Sequence, residues 1–137
     1  MFFKLNTHLI RPLPQEDEKF NLFMDIEQNI NVVYVHPWLQ EHSFINQLKN
    51  VKGVILVAYG MGNFPINQTG MLDAIGKATE NGIPCVVVTQ CRKGHVASEY
   101  EAGNLLVQRG AILAADMSIE SAVAKLSYLL GKKYSFD

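Results

Sequence analysis

The apolar pattern of this chain is densest at Val54-Ile55-Leu56-Val57-Ala58, a mostly β-branched run with no turn residue in it. Such a run predicts a strand buried on both faces. Residues 31–36 predict an earlier strand stopped by Pro37, residues 84–89 a strand that opens on its proline, and residues 111–115 a short fourth strand. Between these runs the period becomes helical. Phe44, Ile45 and Leu48 predict a short amphipathic helix over 41–49, and Met71, Leu72, Ile75 and Ala78 mark one face of a helix over about 68–81. Asn67 is its expected N-cap and Gly82 its stop. Ser98 and Glu101 have capping-box spacing for a helix that ends at Gly110. Ser118 is placed to cap a last helix whose apolar face is Ile119, Ala122, Val123, Leu126, Leu129 and Leu130, with Glu120 in the first turn to suit the helix dipole.

Strands alternating with helices imply right-handed βαβ crossovers. The expected fold is a small Rossmann-like or flavodoxin-like α/β domain, with about four parallel strands and helices on both faces. Residues 1–30 lack this period. Pro12 and Pro14 bracket Leu13, a charged cluster follows at 15–19, and only 21–28 offer a short edge strand. Residues 1–30 therefore read as a linker or partial preceding segment, and 31–137 as the α/β domain. No internal repeat or low-complexity tract interrupts it.

The buried run ends abruptly in Tyr59-Gly60-Met61-Gly62-Asn63-Phe64-Pro65. Two glycines around one residue permit a sharp turn and a close backbone approach, and Pro65 holds Phe64 extended. A buried strand, a glycine turn and a helix are the parts of the crevice where open α/β sheets place ligands. Asn63, at that strand end, is the first candidate for a site.

Composition narrows the class. The chain has 137 residues, enough for one domain with a sizeable core, and its 48% hydrophobic and 18% charged content is that of an ordinary globular protein. A net charge of -1 without a long basic run argues against nucleic acid or an anionic membrane as partner. No apolar stretch reaches membrane-spanning length. Lys4, Asn6, Thr7 and His8 interrupt the first residues, which therefore lack the apolar centre of a signal peptide. Cys85 and Cys91 lie in one strand-loop segment, which suits free thiols in a reducing compartment better than a scaffold disulfide. A cytoplasmic location is expected.

Several residues invite chemistry, each against a simpler rival. Gly60-Met61-Gly62 follows a strand as a dinucleotide loop would, but Pro65 replaces the third glycine and Glu80 falls inside a helix, which disfavours a nucleotide site. Cys91 and His95 could form a thiolate-imidazole pair, yet no third orienting residue is evident, and a structural or solvent-facing thiol is favoured. His36 could join them around a metal, but the paired ligand spacing is missing, so no metal is expected. Tyr34 and Trp38 read as packing residues, and Glu99 and Glu101 as first-turn helix charges.

Four stretches carry a resemblance: GVILVAYGMGNFP, MLDAIGKATENGIPCVVVTQCRKG, YEAGNLL and GAILAADMSIESAVAKLSYLLG. From about Val32 to Gly131 they resemble the carboxy-terminal domain of the asparaginase family, in the family's order and near its spacing. The nearest branch is the cytoplasmic type I enzymes, including the asparaginase-like domain of animal lysophospholipase/asparaginase proteins. The D subunit of glutamyl-tRNA amidotransferase shares this domain and is the nearest competing identity.

The resemblance implies a two-domain amidohydrolase that converts L-asparagine to aspartate and ammonia without a cofactor, through an acyl-enzyme formed on a threonine of the larger amino-terminal domain. The carboxy-terminal domain then contributes an asparagine, here Asn63, to the substrate pocket of a neighbouring subunit in a homo-oligomer, with Gly62 and Tyr59 of the same turn as further substrate-binding candidates. A carboxamide both donates and accepts, which suits a substrate carrying an ammonium and a carboxylate.

Two departures qualify that reading. The family's threonine-glycine-glycine-threonine and glycine-threonine-aspartate-threonine blocks are absent, so the nucleophile domain is missing and the isolated chain is expected to be inactive. Some bacterial type I enzymes bind asparagine at a regulatory site through an arginine before the glycine turn and the cysteine of T-Q-C. Cys91 matches the cysteine, as a candidate effector residue, but Val57 stands at the arginine position. The alternatives are a stand-alone α/β binding or interaction module, or part of the amidotransferase D-type subunit.

Overall fold

The computed structural model describes residues 7, 12–14, 19–98, 100–134 and 136. Along the chain come β1 (Ile30–Tyr34), α1 (Glu41–Gln47), β2 (Gly53–Ala58), α2 (Thr69–Glu80), β3 (Cys85–Thr89), α3 (Glu101–Gln108), β4 (Ile112–Leu113) and α4 (Ile119–Gly131). All strand pairs are parallel, and the sheet order is β1-β2-β3-β4. Val33 pairs with Leu56, and Leu56 with Val87, across the middle of the sheet.

Every residue of β2 is buried, as an unbroken apolar run requires when both faces of a strand are covered. Its alternate side chains feed two separate cores. Val54, Leu56 and Ala58 join Phe44 of α1, Met71 and Ile75 of α2, and Leu106 of α3. Ile55 and Val57 join Ala122 and Leu126 of α4. Helices thus cover both faces of a four-stranded parallel sheet, in the α/β class the alternation predicts. Each fully buried aliphatic side chain here contributes about 1.5–3 kcal/mol.

The strand order never reverses, so the switch-point crevice anticipated at the end of β2 does not form. Any site at this edge is made by loops. Other expectations also change. Residues 21–29 have no regular structure and are not an edge strand; they lie along α4, with the Glu27 N–H donating to the Ser127 carbonyl at 3.0 Å and the Ser127 hydroxyl donating to the Glu27 carbonyl. Gln68, not Asn67, occupies the N-cap of α2, and its side chain makes no cap bond. Tyr100 occupies the N-cap of α3, so Ser98 and Glu101 are not a capping box. The preceding loop is seated first by tertiary contact, with the Val96 N–H donating to the Ala115 carbonyl at 3.0 Å, and the helix starts only after it. Glu99 lies outside the described residues. Ser118 caps α4 as expected, accepting from the Ser121 N–H at 3.2 Å.

Tyr34 and Trp38 are not packing residues: they are 57% and 81% exposed. β1 is an edge strand, while α4 lies against β2 and β3, which leaves Tyr34 largely open to solvent.

The two cysteines differ sharply. Burial pushes the Cys85 thiol from 9.0 up to about 12, whereas Cys91 is exposed. The thiolate is the reactive form, so a thiol-reactive disulfide reagent should consume one equivalent rapidly in the native protein and a second only after unfolding. Cys85→Ala should leave the fast equivalent unchanged, and Cys91→Ser should abolish it. The same burial carries a pH signature. Its contribution to stability is complete below pH 9 and is lost as pH rises towards 12, because only the unfolded state ionises Cys85 in that window. Urea midpoints should therefore fall less steeply over that range in Cys85→Ala than in the parent.

Candidate functional site

At the carboxyl end of β2 the chain closes a small loop on itself. The Asn63 N–H donates to the Tyr59 carbonyl at 2.7 Å, and the two residues form an isolated antiparallel bridge. Gly62 has φ of 104°, a conformation that side chains rarely adopt, and a Cβ there would come within 2.9 Å of Val96 Cγ1. The glycine thus serves both the turn and its seat on the next loop. Phe64 is buried edge-on against Phe44, with ring centroids 5.7 Å apart, and ties the exit of the turn to the core.

The loop following β3 braces this turn. Thr89 is the one buried polar residue among those described; its hydroxyl donates to the Gly60 carbonyl and accepts from the Cys91 N–H at 2.9 Å. The Gln90 N–H donates to the Ala58 carbonyl at 2.9 Å. The Gln90 side chain donates to the carbonyls of Val35 at 3.0 Å and Val57 at 3.2 Å, joining the ends of β1 and β2. Most of these backbone groups lie where the chain leaves the sheet ladder, while the Val57 carbonyl, which already accepts from the Val35 N–H at 3.0 Å, gains a second donor.

Asn63 is exposed, and no described residue hydrogen-bonds its side chain. It lines an open pocket of about 230 Å³ with Met61, Gly62 and Tyr100. Of the sequence candidates, Gly62 and Asn63 therefore meet in one pocket. Tyr59 does not join them; its partly buried ring packs against the α1–α3 core. Tyr100 was missed. Its only sequence signal is an aromatic residue just ahead of a helix, which looks the same in a core and at a site.

Cys91 lies elsewhere, in a pocket of about 200 Å³ with Gln90, Arg92, Asp116, Ser118 and Glu120. The Glu120 carboxyl is held below its usual range by a bond to its own backbone N–H and, second, by the Ser118 hydroxyl. His95 is absent from this lining, so the structure does not assemble a Cys91–His95 pair there. Among the described residues no three His, Cys, Asp or Glu side chains gather as a metal site, so His36, Cys91 and His95 do not form such a group.

The sequence model of the Glutaminase/Asparaginase C-terminal domain family matches residues 29–137. L-asparaginase 1 of Escherichia coli K12 is 36% identical over 132 residues, covering 95% of this chain and 38% of that protein. The 60 kDa lysophospholipase of Homo sapiens is 32% identical over 133 residues, covering 93% of this chain and 22% of that protein. Among solved structures, L-asparaginase I from Vibrio cholerae superposes with a TM-score of 0.73 at 36% identity, over 80% of this chain and 33% of that one. This chain thus spans about two fifths or less of the length of these proteins.

The Thr89 bridge makes a direct prediction. Thr89→Val keeps the shape of the side chain but leaves the Gly60 carbonyl and the Cys91 N–H without their partner. The cost should be about 1–3 kcal/mol in a denaturant titration. Amide exchange should accelerate at Cys91 and in the Tyr59–Asn63 turn, and remain unchanged in α4.

Proposed function

This chain belongs to the Glutaminase/Asparaginase C-terminal domain family, and from that footing we propose that it forms the Asn63 corner of the substrate pocket in an asparagine amidohydrolase. The observation carrying this reading is the Asn63 carboxamide: exposed, without a hydrogen-bond partner among the described residues, and held on a turn closed by the Asn63–Tyr59 bond and braced by Thr89 at the Gly60 carbonyl. A carboxamide so placed offers two donors and an acceptor to a zwitterionic amino acid. Its NH₂ donates to the substrate carboxylate and its oxygen accepts from the ammonium. The backbone brace sets the direction of that side chain before substrate arrives, which reduces the ordering cost of binding.

L-asparagine is the substrate, by analogy with the relatives named L-asparaginase. Asn63 binds and orients; it is not the nucleophile. The attacking hydroxyl comes from an amino-terminal domain of the kind that occupies the remainder of the relatives' length. The assembled enzyme is a homo-oligomer in which this pocket faces the nucleophile of a neighbour. It works in the cytoplasm, a location consistent with two unpaired cysteines and with the absence, among the described residues, of a helix long and apolar enough to cross a membrane.

Ammonia release from L-asparagine is the test. The chain alone should release none above background. Joined or mixed with its amino-terminal catalytic domain, it should support turnover. Asn63→Ala should then lower kcat/KM by about 100-fold or more, the loss of two hydrogen bonds to charged groups at about 1.5–3 kcal/mol each. Turnover unchanged in a folded Asn63→Ala protein would remove Asn63 from the site. Association without any turnover would favour a binding module over an enzyme.

A further inference from the structure

The segment ahead of β1 is a strap with two different sides. Its inner side is fastened to α4. The Phe23 ring meets Tyr128 edge-on at 5.4 Å between centroids, and Lys132 Nζ lies 4.6 Å from the Phe23 centroid and 5.4 Å from that of Tyr128. Glu27 and Ser127 exchange two hydrogen bonds. The Asp25 carbonyl occupies the space that a Cβ on Gly131 would fill. Alternate residues face away: Phe20, Leu22, Met24 and Ile26 are 89%, 71%, 72% and 49% exposed. An apolar row on a fastened support marks a surface that another body covers.

We propose that Leu22, Met24 and Ile26, with Phe20 at their end, form the seam on which an amino-terminal asparaginase domain docks, in the same polypeptide or supplied in trans. This rests on the functional reading above and adds the surface that brings the two parts together. Position on the chain selects the occupant. The family domain match begins at residue 29, immediately after the strap, while the match to E. coli L-asparaginase 1 spans 132 residues and so includes strap residues. That relative has most of its length outside the match, and the matched family domain is the carboxy-terminal one. The strap is therefore where a preceding domain meets this one. Charge argues against a lipid surface: from Lys19 to Gln28 the strap carries one basic residue against Asp25 and Glu27, so no basic excess accompanies the apolar row.

The experiment mixes the full chain with the separately expressed amino-terminal domain of E. coli L-asparaginase 1 and follows association by sedimentation and hydrogen exchange. A one-to-one complex with slowed exchange at residues 21–26 is expected. The double substitution Leu22→Ser with Met24→Ser, which leaves the core untouched, should weaken association at least tenfold while the melting temperature of the isolated chain stays the same. Asn63→Ala should associate as tightly as the parent. The proposal is overturned if no complex forms, if the double variant associates normally, if residues 21–26 gain no protection, or if the parent chain self-associates through the strap or binds neutral phosphatidylcholine vesicles instead. The two readings separate cleanly. Loss of association without an effect of Asn63→Ala on turnover supports the seam and removes Asn63 from the site, whereas the opposite pair of results keeps Asn63 and removes the seam.

Discussion

Burial of β2 on both faces is the constraint from which the rest of the domain follows. No side chain of Gly53–Ala58 reaches solvent, so none can touch a ligand. Chemistry is pushed to the ends of the strand, where the chain must leave the sheet and its backbone groups need new partners. At the carboxyl end those partners come from Thr89 and Gln90, the last residue of the neighbouring strand and the first beyond it. The same requirement that stabilises the strand end also fixes the turn that presents Asn63.

A single direction of strand addition has a second effect. Because the order runs β1-β2-β3-β4 without reversal, the carboxyl edge has no cleft between diverging helices. The pocket at Asn63 is instead an open cup between a glycine turn and the residue that begins α3. Its four described lining residues leave it open to solvent. A ligand seated there would need a second surface to be shielded from water.

Much of this was legible in the sequence because the physics is local or periodic. β2 is an uninterrupted apolar run, α4 has a serine cap followed by a regular apolar stripe, and Gly62 sits where a tight turn demands it. What failed depended on neighbours distant in sequence. Ser98 and Glu101 have capping-box spacing, but the loop is held by Val96 on Ala115 and the helix begins later. Tyr34 alternates correctly within its strand, yet at a sheet edge alternation does not say whether anything lies opposite. Residues 21–28 alternate like a strand and use that pattern to grip a helix instead of a sheet. Of the candidate pocket, Asn63 and Gly62 were readable from the turn, whereas Tyr100, at the start of α3, and the Thr89–Gln90 brace, beside β2 in the sheet, were not, because only tertiary packing joins them to it.

Thr89 holds the Gly60 carbonyl with its proton and the Cys91 amide with its lone pair, so the two loops share one hydroxyl. Cys91 is also exposed, while Cys85 is sealed in the core. Nature has therefore left a single attachment point, one residue beyond the Thr89–Gln90 brace and mechanically tied to the turn that carries Asn63. An environment-sensitive fluorophore coupled there would report movement of that turn as a change in emission, making the unaltered sequence its own sensor.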